Sequence, residues 1–178
     1  MSPDWTLVIG LGNPGEQYAD TRHNIGWSVI DTLARSLGAE SVQRPSDVKP
    51  SEQWRSEDTL LVKPTTFMND SGREVQRIKE YYKVPLNRLL VIADELDLPF
   101  GTAKLKEGGG SAGHKGISSI VRALGSEDFA RLRVGIGRPP EHMDPSDFVL
   151  APFDKEEADD LPRIVTAAAD QTKEWLGV

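Results

Sequence analysis

A chain of 178 residues, 38% hydrophobic and 28% charged, has the length and balance of one soluble domain with its own core. It has no cysteine, which excludes a disulfide framework and a thiolate metal site, and it shows neither a signal-peptide pattern nor an apolar run of membrane length. A cytoplasmic protein without a membrane partner is expected. The net charge of −7 disfavours a nucleic-acid partner only on average. Between Gly101 and Arg138 seven basic residues (Lys104, Lys106, Lys115, Arg122, Arg131, Arg133, Arg138) face three acidic ones, a local balance of +4. Such a stretch suits either a polyanion held at one place or an ordinary solvated face.

In chain order, Leu7–Ile9 is a short apolar run that predicts a strand covered on both faces. Ile25, Val29, Leu33 and Leu37 recur every four residues and predict a helix. The stretch from Ser41 to Asp58 follows neither period and carries Pro45 and Pro50, so it reads as an excursion at a sheet edge, not a linker. Leu60–Val62 and Leu89–Ala93 predict two more buried strands, with a helix between them on Val75, Ile78 and Tyr82. Gly101 to Lys106 predicts a further strand, and Ile117, Ile120, Val121 and Leu124 a third helix. From Arg131 to Gly137 apolar Leu132, Val134 and Ile136 alternate with Arg131, Arg133 and Gly135, a strand with one face free for a partner. A last helix runs from about Asp154 to Leu176, with an interruption expected near Pro162. The reading is α/β: a single domain over residues 1–178, a twisted mixed sheet flanked by helices.

Three polar islands stand on this frame. Gly12-Asn13-Pro14-Gly15-Glu16-Gln17-Tyr18, with Thr21-Arg22-His23-Asn24 close behind, follows the first strand. Lys63-Pro64-Thr65-Thr66-Phe67-Met68-Asn69 follows the second, and Asp94-Glu95-Leu96-Asp97-Leu98-Pro99 the third. That edge of an open α/β sheet is where ligands bind. A histidine, a carboxylate to orient it and two amides are the equipment for activating water and gripping a carbonyl. Each residue alone has a structural alternative: His23 and Asp94 as caps or surface groups, Asn13 as a turn residue before Pro14, Asn69 as a cap for the helix near Ser71.

Rival motifs fail on context. Gly10-Leu11-Gly12-Asn13-Pro14-Gly15 fits the dinucleotide fingerprint, yet helical periodicity does not start at the glycines and no acidic strand end follows about twenty residues on. Gly109-Gly110-Ser111-Ala112-Gly113 fits a nucleophile elbow, with His142 downstream, but lies in a glycine loop and not at a strand-to-helix turn. The same loop nearly fits a phosphate-cradling motif, but His114 stands where Lys is required. His23, His114 and His142 lack a metal-binding spacing, so no metal and no cofactor are expected.

From Leu7 to about Pro152 the islands, in this order, closely resemble bacterial peptidyl-tRNA hydrolases, which cleave the ester between a peptide and its tRNA. The resemblance implies peptidyl-tRNA as substrate and partner, and His23 as a general base with Asp94 hydrogen-bonded to it. It implies Asn13 and Asn69 as contacts to the peptide and substrate backbone, and Tyr18, Phe67 and Met68 as lining for the tRNA end and the peptide. His114 and Lys115 fall at the substrate, and Lys104, Lys106 and Arg133 on a face that holds tRNA phosphates. A monomer is expected.

Two departures stand out. The family usually reads Gly-His-Asn-Gly where this chain has Gly113-His114-Lys115-Gly116, replacing an amide that donates and accepts with an ammonium that only donates. The sequence ends at Val178, where many relatives carry a further basic segment, and a weaker hold on tRNA is expected from that. The alternative function is a non-catalytic RNA-binding relative in which Lys115 grips a phosphate.

Overall fold

The computed structural model describes residues 3–43 and 50–178. Seven strands, β1 (Thr6–Gly10), β2 (Glu40–Ser41), β3 (Ser51–Ser56), β4 (Thr59–Pro64), β5 (Leu89–Glu95), β6 (Ala103–Glu107) and β7 (Ala130–Gly135), form one sheet in the order β2-β3-β4-β1-β5-β7-β6. The four central strands β4, β1, β5 and β7 run parallel, while β2, β3 and β6 pair antiparallel at the edges.

The continuous apolar runs become the two-sided centre because successive strand residues point to opposite faces. Val8, Leu61, Leu90 and Ile92 pack under α1 (Ile25–Leu37) and the long C-terminal helix, whereas Leu7, Ile9, Leu60 and Val91 pack against α2 (Ser71–Tyr82) and α3 (Lys115–Leu124). Each such side chain is fully buried, a gain of roughly 1.5–3 kcal/mol over exposure.

One contact sets where α1 begins. A Cβ on Gly10 would lie 2.3 Å from the Gly26 carbonyl oxygen, and one on Gly26 would lie 2.6 Å from the Ile92 carbonyl oxygen. Only glycine allows the first turn of α1 to lie backbone to backbone on the ends of β1 and β5.

The structure corrects three expectations. The stretch from Ser41 to Asp58 is at the sheet edge, but its described part contains a regular strand, β3. Ser51 and Gln53 are its buried residues, and the Ser51 hydroxyl donates to Glu74 at 2.6 Å, so polar groups stand where an apolar alternation would have betrayed the strand. Pro45 lies outside the described residues. A short helix, α4 (Pro145–Val149), was not anticipated. Finally, α5 (Lys155–Leu176) is unbroken through Pro162. Proline removes one helical hydrogen bond, to the carbonyl four residues back, but Ala158 and Pro162 are both exposed. Beyond the proline, burial of Ile164, Val165, Ala168 and Ala169 holds the helix on the sheet, and Asp154 and Glu157 close a capping box at its start.

Candidate active site

His23 sits in a single 3-10 turn, Arg22–Asn24, immediately before α1. The glycine contact described above lays this turn over the end of β5, where Asp94 points up from a strand buried on both faces. His23 Nδ1 is 2.8 and 2.9 Å from the two Asp94 oxygens. From the other side His114 Nε2 reaches Asp94 Oδ1 at 2.9 Å. All three residues are largely buried.

The tautomer of His114 follows from its surroundings. It caps α3: its Nδ1 accepts from the backbone N–H groups of Gly116 at 3.1 Å and Ile117 at 3.3 Å. A nitrogen that accepts two N–H groups carries no proton, so the ring proton is on Nε2 and is donated to Asp94. Asp94 is ionised: burial by itself would raise its carboxyl, but the facing imidazoles of His23 and His114 outweigh this and hold it well below the usual carboxylate range. The carboxylate therefore accepts Nδ1–H from His23, which leaves the His23 Nε2 lone pair free.

Asn13 is fixed by a residue that the sequence reading missed. The Asn24 side chain accepts from Asn13 N and donates to Asn13 O, both at 2.9 Å. Asn24 stands at the N-cap of α1 but makes no cap bond with its side chain. Nothing in the sequence marks this long-range clamp. The Asn13 side-chain oxygen accepts from Met68 N at 2.7 Å, so its Nδ2 is the group without a partner among the described residues.

These residues face one cleft of about 440 Å³. All nine residues expected at the catalytic pair and the substrate line it: Asn13, Tyr18, His23, Phe67, Met68, Asn69, Asp94, His114 and Lys115. Met68 is buried, whereas Phe67, Asn69 and Lys115 are exposed at the rim. Two of the alternatives for single residues give way: Asp94 lies within β5 and caps no helix, and α2 has Asp70, not Asn69, at its N-cap. Lys115 is the first residue of α3, and its side chain forms no hydrogen bond or ion pair among the described residues. The sequence reading missed the α4 wall, Pro145, Ser146, Val149 and Leu150, although Asp144-Pro145, an N-cap followed by proline at the first helical position, was a usable signal.

The basic residues form a separate face. In the β6–β7 register Lys104 pairs with Arg133 and Lys106 with Arg131, so all four share one side of the sheet. Lys104 and Lys106 are exposed, and Arg133 is half-covered and 3.5 Å from Glu95. Arg131 is buried and donates to the carbonyls of Gly110 at 2.7 Å and Glu127 at 3.1 Å, which ties down the glycine loop. Lys106, Arg131 and Arg133 line a smaller hollow of about 220 Å³ that shares Asp94 and His114 with the main cleft.

The rival motifs do not assemble. β6 ends at Glu107 and α3 starts at Lys115, so Ser111 lies on no strand-to-helix elbow; α1 starts at Ile25, well past the glycines. His23 and His114, distant in sequence, do meet: with Asp94 their candidate ligand atoms lie within 4.8 Å of one another, a cluster that sequence spacing did not announce.

The family model described as Peptidyl-tRNA hydrolase matches residues 7–177. The peptidyl-tRNA hydrolase of Mycobacterium marinum is 48% identical over 169 residues, 94% of this chain and 88% of that one. That of Geobacter sp. (strain M21) is 48% identical over 165 residues, covering 92% and 87%. The crystal structure of peptidyl-tRNA hydrolase from Acinetobacter baumannii superposes with a TM-score of 0.85 at 33% identity, over 97% of this chain and 89% of that one. With the family model matching nearly the whole chain and relatives at this identity, the chain belongs to the peptidyl-tRNA hydrolase family.

Proposed function

We infer that this chain hydrolyses the ester bond of peptidyl-tRNA with a water activated by His23, without a covalent intermediate. The observation that carries the reading is the polarity of the His23–Asp94–His114 group. His114 spends its Nδ1 lone pair on α3 and its Nε2 proton on Asp94, so His23 Nε2 is the base facing the cleft.

The steps follow from that polarity. His23 Nε2 takes a proton as the water oxygen bonds to the ester carbonyl carbon and the carbonyl electron pair moves onto oxygen. Asp94, accepting Nδ1–H, stabilises the imidazolium. The tetrahedral species collapses, the bond to the ribose oxygen breaks, and that oxygen takes the proton back from His23. Free peptide and free tRNA leave. The unpartnered Asn13 Nδ2, the Asn69 amide and the Lys115 ammonium are the donors at hand for the carbonyl and the peptide backbone. Tyr18, Phe67 and Met68 supply apolar surface beside them.

A metal is not needed and the donor set suits one poorly. For His114 to ligate through Nε2 its proton would move to Nδ1, opposing the two N–H groups of Gly116 and Ile117. The tRNA body is assigned to the exposed Lys104 and Lys106 with Arg133, beside the cleft and on one sheet face. Among the described residues no helix is long and apolar enough to cross a membrane. The chain is read as one domain acting as a monomer in the cytoplasm.

The test is release of an N-blocked aminoacyl group from tRNA, followed against time with a chelator present. Release by the wild-type protein that is unaffected by the chelator supports the reading. Binding of tRNA without release would instead make this a non-catalytic RNA-binding relative.

A further inference from the structure

Arg22 is next to His23 in sequence but its side chain runs to the opposite wall of the cleft. Its Nη1 donates to the Phe148 carbonyl at 3.2 Å and its Nη2 to Glu157 Oε1 at 3.0 Å. The guanidinium lies 3.9 Å from the centre of the Phe148 ring and 5.6 Å from that of Phe153. The main chain joins in: Arg22 N donates to Ala151 O at 3.1 Å, and Thr21 bridges to Pro152. One buried arginine thus meets the turn that carries the base, the end of α4 and the start of α5, where Glu157 Oε1 also accepts from Asp154 N.

Beside those main-chain bonds, the wall is held through one side chain of α4. Within α4 Phe148 is the buried residue, and its ring is the one under the guanidinium. Pro145, Ser146, Val149 and Leu150 of the same segment line the cleft, Val149 and Leu150 supplying apolar surface.

We propose that Arg22 is a positioning residue that fixes the α4 wall against the His23 turn, so that Val149 and Leu150 grip the side chain of the esterified amino acid. This rests on the hydrolase reading above and adds to it a determinant of substrate selection. Arg22 does not touch the reacting atoms. Its loss weakens binding of esters with a large apolar side chain and leaves the chemical step alone.

The experiment is steady-state hydrolysis of two N-acetylated aminoacyl-tRNAs, one carrying phenylalanine and one glycine, by wild type, Arg22→Ala and Arg22→Lys. Arg22→Ala raises KM for the phenylalanyl ester about tenfold, the size of one apolar pocket contact, and KM for the glycyl ester far less. kcat and its pH profile stay with the wild type. Arg22→Lys recovers part of the difference, because an ammonium reaches Glu157 but cannot also bond the Phe148 carbonyl and stack on its ring. An equal rise of KM for both esters, a fall in kcat, a displaced pH profile or unchanged kinetics overturns the proposal. Should Arg22→Ala fail to fold, the ratio of the two KM values in Arg22→Lys decides: about threefold above wild type supports it, an unchanged ratio refutes it. Wild-type protein inert on both esters would refute the hydrolase reading instead.

Discussion

His114 donates its Nε2 proton to Asp94 Oδ1 at 2.9 Å while its Nδ1 caps α3, so the carboxylate that orients the His23 ring is itself anchored to a helix start. Asp94 has an imidazole on either side, and only the His23 ring keeps a lone pair for chemistry.

That asymmetry predicts the outcome of removing the base. His23→Ala lowers the rate of ester release by on the order of 10²-fold or more, while circular dichroism and tRNA affinity stay close to wild type. Ser111→Ala, made in the same assay, retains most activity. A dead serine variant beside an active histidine variant would turn the mechanism over to a nucleophilic serine.

Acid stability should report on Asp94. Its folded carboxyl is held well below the usual range, so below an unfolded value of about 3.9 the unfolded chain binds a proton that the native carboxylate refuses. The contribution is complete above that value and is lost as pH falls beneath it. Urea melts between pH 6 and pH 2.5 therefore show stability falling more steeply below about pH 4 in wild type than in Asp94→Asn. Parallel curves would mean the carboxyl is not stabilised in its ionised form.

For the basic face the measurement is the salt dependence of tRNA binding. Lys106→Ala or Arg133→Ala should each reduce the slope of log affinity against log salt by roughly one, with little effect on a short ester that lacks the tRNA body. Of the two, Arg133 is partly neutralised by Glu95 and should show the smaller change. If neither variant alters the slope, the tRNA lies on another surface.

Lys115 sits exposed at the N-terminal end of α3, where the helix dipole disfavours a cation by about 0.3–1 kcal/mol. Lys115→Asn should relieve that cost and keep or raise turnover on N-blocked aminoacyl-tRNA. A loss of tRNA affinity concentrated at low salt would show that the ammonium holds a phosphate. A tenfold fall in turnover at saturating substrate would make it a catalytic group.

The sheet was legible because its central strands are covered on both faces and so carry uninterrupted runs such as Leu89–Ala93. The edge was not: β3 buries Ser51, which donates to Glu74, and Gln53, which donates to Ser51, and polar burial leaves no apolar alternation to see. Pro162 misleads because a proline inside a helix suggests an interruption, whereas enough apolar surface follows it in α5 to carry the helix past one lost bond. At the site, the candidate residues were singled out by their joint resemblance to one family, and nine of them line one cleft. The bonds that position them were not legible. Asn24 clamping Asn13, His114 donating to Asp94 and Arg22 reaching α4 are bonds between separate segments, and nothing in local composition encodes them.

The seat of α1 on β1 has a consequence for how the protein tolerates change. Gly10 and Gly26 leave no side chain between the two backbones, so the height of His23 over Asp94 is set by main-chain thickness and not by a compressible layer of methyl groups. Trimming the neighbouring core, as in Ile30→Val, lowers the melting temperature without altering that height. A side chain at either glycine would have to push α1 away from the sheet, shifting the His23 turn and costing stability together. Small trims elsewhere in the interior can therefore accumulate while the His23–Asp94 spacing stays put.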